Sequence, residues 1–135
     1  LADDLISANC FITMVLARYR PDTQQLVYAN AGHIYPLVWS REAIVAQQTG
    51  QGTGATLEPN YLKVRGIPLG ILPNWKAASG SLDLKSGEVL LLTSDGITEA
   101  TVPSSETATS AATSSVMLQQ AGLWQLLLHQ QHPLD

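Results

Sequence analysis

The sequence predicts an α+β fold built on antiparallel sheets, and three observations carry that prediction. Extended stretches follow one another at hairpin spacing, with turn residues between them. Helical spacing of apolar residues is confined to the two ends of the chain. No alternation of strand with a long amphipathic helix appears, so parallel β-α-β units are not expected. No internal repeat is visible.

Leu1 to Asn9 reads as a short helical stub, with Leu1, Leu5 and Ile6 spaced for one face. Phe11 to Arg20 is β-branched and aromatic, apolar at first and then alternating, which predicts a central strand running out to solvent. Pro21-Asp22-Thr23 is a turn signal, because proline presets φ and aspartate bonds its own backbone. Leu26 to Ala31 is the returning strand. Gly32-His33 breaks it, Tyr35 to Trp39 resumes extended structure, and a turn at Ser40-Arg41-Glu42 leads into Ala43 to Gln48. Thr49 to Pro59 collapses into Gly, Thr and Gln and is read as loop.

Leu62-Lys63-Val64 is a candidate short strand, and Ile67 to Pro73 a Pro/Gly-punctuated loop. Ala77 to Leu84 is a weak strand. Lys85-Ser86-Gly87-Glu88 is a tight turn, and Val89 to Thr93 is the strongest candidate for a buried strand. Leu82 to Thr93 is therefore expected as a buried hairpin turning at Ser86-Gly87, with Leu91 among its costliest positions to truncate. Thr101 to Ser115 holds nine Ser or Thr in fifteen residues with one charge, and predicts a flexible loop open to early proteolysis. Val116 to Gln131 returns to helical spacing, with Leu118, Leu123, Trp124, Leu127 and Leu128 on one face.

The chain has 135 residues, the size of one domain, and 45% of them are hydrophobic, enough for a real core. Seven basic against eleven acidic residues give a formal charge of −4. That balance argues against nucleic acid, whose binding needs a basic surface to displace counterions. Cys10 is the single cysteine, which excludes an internal disulfide and thiolate zinc sites. With no signal peptide pattern, the cytoplasm is the expected compartment. No apolar run approaches the roughly 20 residues of a membrane span. The chain opens without Met, inside a helical pattern, and is expected to be a piece of a longer polypeptide.

Asp95-Gly96 directly follows an apolar strand. A carboxylate there is fixed by the sheet yet faces solvent, which suits an oxygen ligand for Mg²⁺ or Mn²⁺, and Gly96 allows a sharp turn. The plain alternative is that Asp-Gly is a turn. Glu99 is either a partner of Asp95 or an acid in the first turn of a helix, favoured by the dipole; the second reading is preferred. Asn30-Ala31-Gly32-His33 places an imidazole after another strand end, as a general acid, a ligand, or a structural side chain held by one hydrogen bond. His129 and His132 are read as solvated. Gly66-Ile-Pro-Leu-Gly70 lacks the Lys-Ser/Thr of a phosphate loop.

In order, Phe11-Ile-Thr13, Tyr28-Ala-Asn-Ala-Gly-His33, Gly66-Ile-Pro-Leu-Gly70 and Ser86 to Ala100 resemble the SpoIIE/RsbU-type branch of the metal-dependent PPM Ser/Thr phosphatases of bacteria. Those domains show an F-x-T strand, an N-A-G-H-x-P-like segment, G-x-P-L-G, and G-D-x-L-x-L-x-T-D-G-x-T-E-A. The resemblance spans Phe11 to Ala100. It implies an antiparallel β-sandwich flanked by helices, and two Mn²⁺ or Mg²⁺ ions polarising a water that attacks phosphoserine or phosphothreonine. It matches Asp95, with Gly96, to the metal-binding T-D-G motif, Asn30 and His33 to a segment supporting the site, and Gly66 to Gly70 to a loop near it. The implied substrate is a small regulatory protein of the anti-sigma-factor antagonist type, under control of a sensor or receiver domain.

The chain departs from the family pattern in several places. A D-x-x-G-H-G-like segment is not found before Phe11, nor a closing Asp-Asp pair after the last helix, and Ser94 stands where Thr is usual. The Gly/Thr-rich stretch at Thr49–Pro59 also exceeds the usual length. The expectation is a single partial phosphatase domain, truncated at both ends, whose exposed sheet edges invite pairing into a homodimer. The competing expectation is an inactive PPM-like interaction module.

Overall fold

The computed structural model describes residues 1–50, 57–103 and 115–129. Helix α1 (Ala2–Ser7) opens the chain, as its spacing predicts. Strands β1 (Met14–Arg20) and β2 (Gln25–Ala31) form an antiparallel hairpin in register from Met14 opposite Ala31 to Arg20 opposite Gln25. The turn between them starts at Pro21 and closes at Gln24, which takes the left-handed region at φ 53°. Strand β3 (Leu37–Ser40) runs directly into helix α2 (Arg41–Gln48), whose first turn is capped by Ser40 Oγ accepting from Ala43 N at 3.3 Å. Then come β4 (Asn60–Tyr61), β5 (Ala78–Asp83), β6 (Glu88–Leu91), the short helix α3 (Asp95–Thr98), β7 (Thr101–Pro103), β8 (Ser115–Met117) and helix α4 (Gln119–His129).

Two three-stranded antiparallel sheets result, ordered β1-β2-β5 and β4-β3-β6, together with a β7-β8 ribbon. The central strands carry the core because both of their edges are paired. On β2, Leu26, Tyr28 and Asn30 alternate inward, and β3 is buried on both faces. One face of β3 offers Val38 to a cluster with Leu26, Tyr28 and Leu62, so the two sheets share a core. The opposite face offers Leu37 and Trp39 to Trp124 of α4. The two indoles meet edge to face at 5.6 Å, and Trp124 Nε1 donates to Leu57 O at 2.9 Å, so its one polar atom is satisfied in the core. Gln48 Nε2 donates to Leu128 O at 3.0 Å and joins α2 to α4.

The mixed, antiparallel character is as expected, but several elements differ from the sequence reading. The Phe11–Arg20 segment is an edge strand and not a central one; Phe11 and Leu16 are 62% and 64% exposed. Apolar content measured its hydrophobicity, not its number of neighbours. Leu82–Thr93 is not a paired hairpin: β5 joins β2 and β6 joins β3, so the Lys85–Glu88 turn carries the chain from one sheet to the other. Gly87 supplies the positive φ of +84° that this passage needs, and Glu88 N donates to Lys85 O at 3.1 Å. Strand β6 lies at a sheet edge and is only half-buried.

Leu62–Val64 is not a strand; pairing falls on Asn60–Tyr61, and Leu62 N extends it by donating to Pro36 O at 2.9 Å. The ends of the expected Thr101–Ser115 loop pair as β7 and β8, while residues 104–114 lie outside the described residues, as do 51–56 of the Thr49–Pro59 loop. Val116 and Met117 belong to β8, and α4 starts only at Gln119. Among the described residues no helix is long and apolar enough to cross a membrane.

Candidate functional site

Two segments from different parts of the chain converge at one end of the first sheet, and a third stands apart from them. The first follows β2. Asn30 is fully buried, and its amide spans the turn: Nδ2 donates to His33 O at 3.0 Å, and Oδ1 accepts from His33 N at 2.8 Å. These two bonds satisfy a buried amide on both sides and fix the backbone of His33. Between them Gly32 takes φ +70°, open to glycine at little cost.

The second segment is the Gly66–Gly70 loop, which seats directly on the first. A Cβ on Gly66 would lie 2.1 Å from Asn30 O, and one on Gly32 would lie 2.4 Å from Pro68 Cγ. Both glycines are therefore required by close approach, and the two motifs form one unit. Leu69 bridges to Ile12 through a pair of 2.9 Å backbone hydrogen bonds, and Met14 bridges to Gly32. Gly70, at φ +91°, turns the loop beneath Cys10 and Leu5, where a Cβ would lie 2.4 Å from Cys10 O. Sequence reasoning passed over Pro68 and Leu69, although both lie between the two glycines it singled out.

The third segment is the start of α3. Ser94 is its N-cap residue and Asp95 its first residue, emerging just past β6. The Asp95 carboxylate is exposed, and no side-chain hydrogen bond or ion pair engages it among the described residues. Its backbone carbonyl is occupied, accepting from Glu99 N at 2.7 Å and Thr98 Oγ1 at 3.1 Å. Thr98 is buried and anchors this one-turn helix; Thr93 Oγ1 is buried and has no hydrogen-bond partner among the described residues. Gly96 is exposed.

The sequence reading of Glu99 is corrected. It is not in the first turn but at the C-cap of α3, where the helix dipole disfavours a carboxylate. The helix is one turn long. Asn30, His33 and Gly66 are thus brought together, Gly70 lies against Cys10 and Leu5 at the other end of the loop, and Asp95, Gly96 and Glu99 form a separate exposed corner. Among the described residues no group of three or more His, Cys, Asp or Glu is placed to hold a metal ion.

Comparison with known proteins supplies the frame for this arrangement. Residues 1–130 match the family described as Stage II sporulation protein E (SpoIIE). The chain is 32% identical over 94 residues to the phosphoserine phosphatase RsbU of Bacillus subtilis (strain 168). That stretch covers 70% of this chain and 24% of the relative, so the chain spans about a quarter of the length of the protein it matches. No solved structure matches. The family match covers the loops at Asn30 and Gly66 and the Asp95 corner, and its extent over nearly the whole chain places it: the chain belongs to the SpoIIE family, a group of PPM-type phosphatase domains.

Proposed function

We propose that this chain is part of a metal-dependent phosphatase domain that hydrolyses phosphoserine or phosphothreonine on a bacterial regulatory protein. The observation that carries the reading is the Asp95 corner: an exposed carboxylate, unpaired among the described residues, held at a strand-to-helix junction in a chain of the SpoIIE family. Such a carboxylate suits a hard divalent ion, and the family is generally metal-dependent. In this reading the two sheets belong to the sandwich of the PPM fold. Asn30, Gly32, Gly66 and Gly70 hold the loops at its rim, with His33 presented by the Asn30 clamp.

The described residues do not by themselves fit a two-ion centre. Each Mn²⁺ or Mg²⁺ requires several oxygen ligands, and Asp95 offers one carboxylate. We therefore assign the remaining ligands to residues other than the described ones and derive no catalytic step through the ions. Asp95 and Gly96 hold one edge of the metal site, and Glu99 has no ligand role. The substrate class follows RsbU, a phosphoserine phosphatase. A phosphorylated protein of the anti-sigma-factor antagonist type, a sensor or receiver domain in the same polypeptide, and a cytoplasmic setting complete the reading. A homodimer would cover the unpaired edge of β1.

A second reading is an inactive interaction module, favoured by the single carboxylate. One assay separates the two. The longer protein containing this chain should release phosphate from a phosphoserine peptide with Mn²⁺. Asp95→Asn, which keeps the shape and removes the charge, should reduce turnover by more than the roughly 100-fold typical of losing a group outside the metal's direct ligands. The 135-residue chain alone should turn over p-nitrophenyl phosphate negligibly. Full turnover by the Asp95→Asn protein removes Asp95 from the mechanism; no turnover by the unsubstituted longer protein supports the interaction module.

A further inference from the structure

A concavity of about 280 Å³ lies beside the Asn30 clamp, lined by Gly32, His33, Ile34, Tyr35, Arg65 and Gln120. Its chemistry is one-sided. Arg65, His33, Tyr35 and the Gln120 amide can all present N–H or O–H groups, and among the described residues no carboxylate lines the wall. Arg65 is exposed and, among the described residues, has no ion pair or hydrogen bond, although the chain carries a net charge of −4. An unpaired guanidinium in an acidic chain is available to a ligand. Its planar fork matches the two oxygens of a carboxylate or phosphoryl group.

The pocket has fixed walls. Gln120 Nε2 donates to Tyr35 O at 2.6 Å, which ties α4 to the loop after β2. The Asn30 clamp fixes His33, and Gly66, the neighbour of Arg65, is seated on Asn30. Arg65 therefore projects from backbone that is anchored on its C-terminal side. The volume falls just below the range of about 300–1,000 Å³ usual for sites that enclose a whole small molecule, so a single anionic group is the better match.

The geometry points to an oxyanion subsite at Arg65, in which a phosphoryl or carboxylate group of a peptide substrate is held by the guanidinium beside His33 and Tyr35. Asp95 does not line it, so the subsite is a positioning site separate from the metal corner. Only the identity of the peptide rests on the phosphatase reading; the pocket stands on its own residues.

The test is peptide binding to the 135-residue chain by calorimetry, with EDTA present so that no metal contributes. Three versions of one peptide are compared, carrying phosphoserine, glutamate or alanine at the same position. The chain should bind the phosphoserine peptide saturably and the alanine peptide at least about tenfold more weakly, as expected for one charge-assisted pair. Glutamate binding as tightly as phosphoserine identifies a carboxylate as sufficient, and weaker glutamate binding identifies the phosphoryl group; either result supports the subsite. Arg65→Gln should lose the preference, Arg65→Lys should keep part of it, and Asp95→Asn should keep all of it. Arg65 is exposed, so these changes leave the far-UV circular dichroism unaltered. Equal binding of all three peptides, or an undiminished preference in Arg65→Gln, overturns the proposal. Loss of turnover in the longer protein with peptide binding intact would count against the metal corner alone.

Discussion

Replacing Asn30 by Ala removes both hydrogen bonds to His33 and leaves two backbone groups without partners in a part-buried turn. The expected cost is about 2–4 kcal/mol, from two lost bonds and their unpaired remnants, read as a shift in urea midpoint. Gly32→Ala adds a Cβ at φ +70° and against Pro68, so it should also destabilise, by at least the 1–2 kcal/mol usual for an L-residue in the left-handed region. Tyr61 gives a pH signature. Burial, with Glu58 nearby as a smaller cause, raises its phenol above the ordinary value of 10.0. The folded chain thus holds this proton more tightly than the unfolded chain. The benefit is complete below pH about 10 and is lost as pH rises through the higher folded value. Tyr61→Phe should therefore flatten the alkaline fall in stability; identical alkaline limbs would show that the phenol ionises alike in both states. At this scale the sequence disclosed which residues matter near Gly32 but not how. Asn30 and His33 stand out because they follow a strand, whereas the clamp between them depends on a turn that only the fold closes. Arg65 carried no signal at all, because a cation acquires meaning from the cavity beside it.

Among the elements, β3 contributes to both hydrophobic clusters, because it is central and covered on both faces. Leu37 is fully buried against Trp39 and Trp124, while its cross-strand partner Leu91 is half-buried on the edge strand β6. Leu37→Ala should cost toward the upper part of the roughly 2–5 kcal/mol range for core truncations, and Leu91→Ala toward the lower part or below it. Thermal unfolding of the two variants checks the order. Strand identity and turn position were legible here: the apolar run at Val89 and the Gly87 turn both fall where expected. The pairing partner was not. Alternation and apolar content report how much of a strand is covered, and a tight turn between two strands serves a hairpin or a passage between sheets equally well. The same limit explains the Phe11–Arg20 segment, whose Phe11, Met14 and Leu16 read as core but are exposed.

Across the whole molecule, the order of the motifs carried more information than any single one, since the loops at Asn30 and Gly66 are distant in sequence yet form one unit. Asp95 was legible only as a carboxylate just past a strand end, which has the same local sequence whatever other groups stand near it. On the open face of the first sheet, Leu16→Lys should leave stability within about 0.5 kcal/mol, as for other exposed positions, and a larger loss would mean the face is covered in solution. The seating of Gly66 on Asn30 also has a consequence for the order in which the chain assembles. The β1–β2 hairpin closes across a four-residue turn and is local, whereas the loop seat must wait until the intervening chain has been gathered in. Interactions that form after the rate-limiting step slow unfolding without hastening folding. In stopped-flow urea experiments Gly66→Ala, whose added Cβ meets Asn30 O, should then unfold faster while refolding at nearly the unsubstituted rate, which would make the loop seat the last part of the molecule to set and the first to loosen.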